Sequence, residues 1–333
     1  MLRVIAAQLP ARTDAISYYR GLGPLNKMAK ENNMLVHQLS SYSWATLGQV
    51  SALFMQRPYT KNDKDIFVEA AVNRVPIWLD YDDLLSDIPT SNPCYFEYQK
   101  PEVKENIVFM IKAANVVTVS TQFLARQIVH LNPNVVVLPN AFDVDAVPYR
   151  DVDKDCGERS KMIYWRGSRT HHKDVWTYKK EILAAAQESK EWKYHFIGDN
   201  LWFLTDEMDN EQAIVADVMQ IEKFFMHLWR IAPSACIVPL HDCKFNRAKS
   251  NIAYLEASMA GAVTIAPAWE EWSHPGIIQY KDNQQFLEAI RLVTSGEIDV
   301  RKSSNEAWAY VKQHMSLSKA NVKRRQVFER ILM

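Results

Sequence analysis

Short apolar runs alternate with amphipathic helical patterns along almost the whole chain. In the first half the runs are Leu2–Leu9, Met34–Leu39, Ala52–Met55, Val75–Leu79, Asn115–Ser120 and Val135–Leu138. In the second half they are Met162–Trp165, Tyr194–Ile197, Ala235–Pro239, Val263–Ala266 and Ile277–Tyr280. Each is rich in Val, Ile or Leu and shows little alternation, as strands covered on both faces do. Helical patterns fall between them, most clearly at Val175–Glu188 and Ile221–Trp229. Strands alternating with helices predict parallel, doubly wound sheets. Between the two series, Asp143–Lys161 is dense in Asp, Lys and Arg and reads as a linker. The pattern therefore predicts an α/β protein of two Rossmann-like domains, 1–150 and 158–303, facing each other across a cleft. Ligands of such sheets bind beyond the carboxyl ends of the strands.

Composition is consistent with this and sets limits. A chain of 333 residues, 48% hydrophobic, is long enough for two cores. Its 39 basic and 39 acidic residues balance, which argues against a strongly basic nucleic-acid binder while leaving room for a local patch. Cys94, Cys156, Cys236 and Cys243 show no CxxC pairing and no zinc spacing, so reduced thiols in a cytoplasmic protein (of the host cytoplasm, if viral) are expected. No apolar run spans a bilayer, and the N-terminus turns polar too soon for a secretory signal.

The stretch Cys236–Pro267 carries the most chemistry. It reads as strand, polar loop ending in Lys249-Ser250, helix, and a Gly261 stop before a further strand. Ser250 is the predicted N-cap. Helix-start amides together with Lys249 suit an anion such as a phosphate. Glu256 lies six residues on, roughly 9 Å along the axis, off the Ile252, Leu255 and Met259 face. A diphosphate at the helix start and a ribose at Glu256 fit that spacing. A second loop, Tyr164–Asp174, places Gly167 and Ser168 in a tight turn beside Arg166, Arg169 and Lys173, a further phosphate cradle. In the first half, Asp80, Asp82 and Asp83 crowd one strand end, where they repel one another unless something compensates. Three readings stand: a metal clamp, disfavoured because no other ligands have metal spacing; a helix N-cap by Asp82 or Asp83; or carboxylates that orient a substrate.

The motif Pro239, Leu240, Asp242, Phe245, Asn246, Lys249, Ser250, then Leu255 and Glu256, resembles the donor site of family 4-like glycosyltransferases of the GT-B fold. The likeness extends to the G-S-x-T-H-x-x-D turn at Gly167–Asp174, with His171, and to Asp80, Asp82 and Asp83 at the strand end where relatives carry V-x-x-D-x-D-D. It also covers Gln56-Arg57-Pro58, Tyr18-Tyr19-Arg20 with Pro24, and Pro139–Asp143. It runs from about residue 15 to about residue 270. One departure is Ala248, where many relatives carry a second glutamate near the sugar, and another is Ser168 where many have arginine.

The resemblance implies a hexosyl- or pentosyltransferase using a UDP- or GDP-type nucleotide sugar as donor, with retention and with neither metal nor other cofactor. It implies a donor site of Arg166, Gly167, Ser168, Arg169, His171, Lys173, Asn246, Lys249, Ser250 and Glu256. Arg20, Asp80 and Asp83 would serve the acceptor side, and Asp80, Asp82 and Lys249 the chemistry. It also implies a C-terminal helix, 304–333, crossing back to the first domain. The acceptor stays open between a glycan, a lipid-linked sugar and DNA. The segment Arg301–Met333 holds eight basic residues against Glu306 and Glu329, a solvated face or an approach to an anionic acceptor. A phage-type enzyme glycosylating a hydroxymethylated base is thus the first alternative. A nucleotide-sugar 2-epimerase using Asp80 or His171 is the second, and a protein that only binds nucleotide sugar is the third.

Overall fold

Two six-stranded sheets organise the computed structural model, which describes residues 3–10, 15–39, 49–146 and 159–333. The first contains β1 (Arg3–Gln8), β2 (Met34–Gln38), β3 (Ala52–Gln56), β4 (Ile77–Tyr81), β5 (Val116–Val119) and β6 (Val135–Val137). Their order is β2-β1-β3-β4-β5-β6, and every pair is parallel. The second contains β7 (Ser160–Arg166), β8 (Lys193–Ile197), β9 (Ala213–Ala216), β10 (Pro233–Ile237), β11 (Val263–Pro267) and β12 (Ile277–Tyr280). Here the order is β12-β11-β10-β7-β8-β9, again all parallel. These are the two Rossmann-like sheets predicted. β3, β4, β5, β10 and β11 are buried at every position, which is why their sequences do not alternate.

Three details differ from the prediction. β9 was missed: four residues at a sheet edge, none fully buried, leave too short an apolar run to register. The helix expected over Val175–Glu188 is two, His172–Thr177 and Lys179–Glu188. They break at Tyr178, whose ring packs against Tyr280 and Phe286. The crossing at the C-terminus also comes later than 304. Val300–His314 stays with the second domain, where Ala307, Trp308 and Val311 pack with Tyr254, Leu255 and Met259. At the crossing the Phe142 N–H donates to the Met315 carbonyl at 2.9 Å, and the Leu317 N–H to the Phe142 carbonyl at 2.8 Å. Leu317–Ile331 then packs on the first domain, its Val327 and Phe328 joining a core with Leu25, Met28 and Trp78. Part of the basic character of this helix is spent internally: Arg324 is buried, and Arg325 and Arg330 donate to Asn32 and Asn134.

Leu2, Cys156 and most of the predicted linker, 147–158, lie outside the described residues. Among the described residues no helix is long and apolar enough to cross a membrane. Tyr19 and Phe142 of the first domain share a hydrophobic cluster with Tyr254, Leu255 and Trp308, so the two sheets are joined by a core as well as by polar contacts.

Candidate functional site

β7 and β10 are neighbours, yet the chain leaves them towards opposite sides of the sheet, to β8 on one side and β11 on the other. A crevice opens beyond such a switch point. It holds a cleft of about 380 Å3 between the domains. Arg166 enters it at the end of β7 and Ser168, Thr170 and His171 just after, Val238, Pro239 and Leu240 after β10, and Lys249 and Ser250 from the turn before the helix that Ile252 opens. Arg57, Asp82, Asp83, Asn92, Cys94 and Tyr98 of the first domain form the facing wall.

Local sequence explains how these groups are held. At Gly167 an added Cβ would stand 2.4 Å from the Trp165 ring, so the turn after β7 admits no side chain. The helix Ile252–Ala260 is buried from Tyr254 onward and stops at Gly261, whose φ of 73° is the left-handed region that glycine enters without a Cβ clash. The residue before the helix is Asn251, not Ser250, and its side chain makes no cap. Ser250 instead accepts a hydrogen bond from Asn140 Nδ2 of the first domain at 2.7 Å. Beside this turn burial pushes the Glu271 carboxyl up to about 8, the Asn251 N–H opposing. Trp272 Nε1, Gln56 Nε2 and Asn251 Oδ1 are buried without a partner among the described residues, and Trp272 lines the cleft.

Charge concentrates where the domains meet. Asp83 accepts from Arg57 Nη2 at 2.6 Å and from Lys249 Nζ at 3.5 Å, so a first-domain carboxylate holds the second domain's lysine. Burial would raise its pKa, but Lys249, Arg57 and His171 outweigh that and hold it at about 2. Both oxygens of Asp82 take Arg57, Nη2–Oδ2 being 2.7 Å. Burial nevertheless raises the Asp82 pKa, with Arg57 working against it. Arg57 itself has a φ of 49°, a conformation that costs a non-glycine residue of order 1 kcal/mol and that clusters at functional sites. Lys249 also lies 4.5 Å from the centre of the Phe245 ring, a cation–π contact that steadies its stem.

Of the residues expected from sequence, Arg166, Ser168, His171, Lys249, Ser250, Asp82 and Asp83 line the cleft. Others do not, for identifiable reasons. Glu256 is 2% exposed; Arg166 Nε reaches its Oε2 at 2.7 Å and Tyr19 Oη its Oε1 at 3.1 Å. Its carboxylate thus joins the domains and orients Arg166, leaving neither oxygen facing open space for a ribose. Burial raises its pKa against the pull of Arg166. Asp80 and Arg20 are likewise sealed: Arg20 Nε and Nη2 grip both oxygens of Asp80 at 3.0 and 2.6 Å, and Thr118 Oγ1 adds a bond at 2.6 Å. The remaining Arg20 nitrogen serves Leu138 O and Asn140. This buried pair ties the first helix to β4 and touches no cleft. Gly167 spends its amide on the Ile197 carbonyl at 3.0 Å. Arg169 and Lys173 are exposed and outside the lining. Asn246 turns away, its Nδ2 donating to Asp174 Oδ1 at 2.6 Å.

Asp174 stood in a quoted motif without a role, and His241 was not singled out from sequence. Asp174 is 3% exposed and receives His171 Nδ1 at 2.9 Å, His241 Nδ1 at 2.5 Å and Asn246. The aspartate pins the loop after β7 to the loop after β10. Burial works to raise its pKa, but the two histidines hold it well below the usual carboxylate range. Its hydrogen bond lifts His241 to about 10, whereas burial and then Lys249 push His171 down. The signal was present in the H-x-x-D spacing, which puts both side chains on one helical face. Arg57 stood in a quoted motif without a role. Among the described residues no group of three or more His, Cys, Asp or Glu comes together to hold a metal.

Neither a protein-family model nor a curated protein matches the sequence. Solved structures do match the fold. An alpha-glucosyltransferase in complex with UDP and a 13-mer DNA with a central A:G mismatch superposes with a TM-score of 0.67 at 11% identity, over 98% of this chain and 99% of that one. HepE from Anabaena, in complex with UDP, gives 0.65 at 10% identity, over 98% and 100%. TarM gives 0.63 at 9% identity, over 83% of this chain and 54% of its own, so the chain spans about half of TarM's length. What this chain shares with these three proteins, at about a tenth identity, is the fold of two Rossmann-like domains with a cleft between them.

Proposed function

We propose that the protein is a glycosyltransferase that moves a sugar from a UDP-type nucleotide sugar to an acceptor hydroxyl, with retention and without a metal. The observation that carries this reading is the convergence of Lys249, Ser250, Arg166, Ser168 and His171 at the switch point of the second sheet. That is a place for a diphosphate, opposite a first-domain wall that presents Asp82, Asp83 and Arg57. Breaking a bond between a sugar and a diphosphate leaves added negative charge on the phosphate. Cations and hydroxyls fixed in advance around that charge are the largest catalytic contribution such a site offers. Lys249 and Arg166 supply it; an arriving diphosphate replaces Asp83 on Lys249. No protein nucleophile is needed when the acceptor attacks from the leaving-group side, and that route gives retention. Glu256 acts through Arg166 rather than on the ribose, and Arg20 and Asp80 support the wall without touching substrate. The fold shared with an alpha-glucosyltransferase and with HepE, both solved in complex with UDP, supports UDP over other nucleotides.

A screen of nucleotide sugars and UDP by thermal shift tests the reading. At a hundredfold its dissociation constant a donor stabilises the fold by about 2.7 kcal/mol. No shift with any uridine nucleotide rejects it, and an isomerised donor without acceptor points to an epimerase. One observation favours a second reading, with DNA as acceptor: the match of nearly the full length to the glucosyltransferase whose complex contains DNA. Turnover stimulated by hydroxymethylated duplex, falling steeply with salt, decides for it.

A further inference from the structure

We propose that His171 is a catalytic residue of this transfer, taking the proton of the acceptor hydroxyl and then, as the imidazolium, facing the departing diphosphate. The proposal rests on the UDP-sugar reading above. It starts from the aspartate that two histidines share. Asp174 is fixed from three sides, by His241, by Asn246 and by His171. With its Nδ1 proton on Asp174, His171 keeps a lone pair on Nε2, and its ring lines the cleft. His241 and His171 are driven in opposite directions around one carboxylate: His241 is raised to about 10 and charged, compensating Asp174, and His171 is lowered and neutral. Paired groups whose environments push their proton affinities apart mark a division between structural charge and working base. A base oriented by a fixed carboxylate is the arrangement that activates a hydroxyl.

The groups facing His171 place it between the two substrates. Lys249 and Arg166 press on it from the second domain and disfavour its charged form. Asp83, on the first-domain wall, lines the same cleft, and it is the charged form of His171 that would lower its pKa. His171 therefore shares one cleft with the cations that meet the diphosphate, Lys249 and Arg166, and with the wall of Asp82 and Asp83 that would face the acceptor. In the step, the bond between the anomeric carbon and the phosphate oxygen breaks, and its electron pair stays on that oxygen. The acceptor oxygen forms the new bond to the same carbon, and its proton moves to His171 Nε2. The imidazolium and the diphosphate then form an ion pair, and the proton leaves with the nucleotide. A base on the leaving-group side is compatible with retention.

The same geometry predicts that UDP alone, by bringing negative charge to His171, draws a proton from solution. Calorimetry of UDP binding near pH 6.5 in buffers of different ionisation enthalpy reads this directly. Wild type is expected to take up about one proton more per UDP than His171→Gln, while the variant still binds UDP. With UDP-glucose or UDP-N-acetylglucosamine as donor, kcat of His171→Gln falls on the order of 100-fold or more with KM little changed, and the acid limb of its pH profile disappears. Asp174→Asn, a change in a positioning residue, shifts that limb. Equal proton uptake in wild type and His171→Gln overturns the proposal, as does a variant kcat within about threefold of wild type. UDP that fails to bind wild type overturns the donor-site reading instead, and the two failures are told apart by the binding heat itself.

Discussion

Replacing Arg20 with methionine removes the partner of a carboxylate that has no route to water. Arg20 is 1% exposed and Asp80 is 2% exposed, and the guanidinium holds both carboxylate oxygens at 3.0 and 2.6 Å. Removing one member of a buried ion pair costs about 3–5 kcal/mol, because the other is left charged in a dry place. In Arg20→Met, Thr118 still donates to Asp80, and Arg324 lies close enough to interact with it. That variant belongs at the lower end, about 3 kcal/mol. Asp80→Asn is worse. Burial, and then Arg20, push Arg324 down to about 9, and Asp80 is the group that opposes them. Losing Asp80 leaves two buried arginines without a counter-charge, so the cost moves to about 5 kcal/mol. At roughly 2–4 °C per kcal/mol for domains of this size, the midpoints fall by about 6–12 °C and 10–20 °C. Scanning calorimetry measures both, and UDP titration of the folded variants should give affinities within about threefold of wild type, since neither side chain lines the cleft. An Arg20→Met protein with an unshifted midpoint and lost turnover would falsify this, and would return Arg20 to the acceptor.

Lys249→Met removes a charged contact to the diphosphate; UDP affinity should fall about 10- to 100-fold in calorimetry, and unchanged affinity moves the diphosphate elsewhere. Asp83 is held at about 2 in the fold against about 4 unfolded, so between those values the unfolded chain binds more protons. Its contribution, about 2–3 kcal/mol, is complete well above pH 4 and lost as pH falls through 4 towards 2; acid unfolding followed by circular dichroism should show that limb flattened in Asp83→Asn. Gly261→Ala forces a side chain into left-handed backbone 2.4 Å from the Arg159 guanidinium. It should cost about 1–2 kcal/mol in denaturant titration while UDP affinity stays as it was.

Eleven of the twelve strands stood in the sequence as apolar runs, because burial on both faces leaves a signature that needs no knowledge of the partner strand. The helix stop at Gly261 was legible for the same local reason. Site residues were legible by type and less so by duty. A carboxylate after a strand looks alike whether it meets a substrate or a buried arginine. Asp83 and Asp80 lie three residues apart on one strand end, yet one faces the cleft and the other meets Arg20 from sixty residues upstream. Glu256 sits where the spacing put it, one and a half turns into its helix, but its oxygens are claimed by Tyr19 and Arg166 from distant parts of the chain. The sharing of Asp174 by two histidines was invisible because His241 lies sixty-seven residues away.

By itself the amino-acid order determined two doubly wound sheets, the crevice between them and the loops that carry cations to it, since each follows from local periodicity and turn chemistry. The tertiary structure decided which charged groups remain open to a ligand and which neutralise one another. That decision depends on distances between groups far apart in sequence, and on how much water burial removes from each.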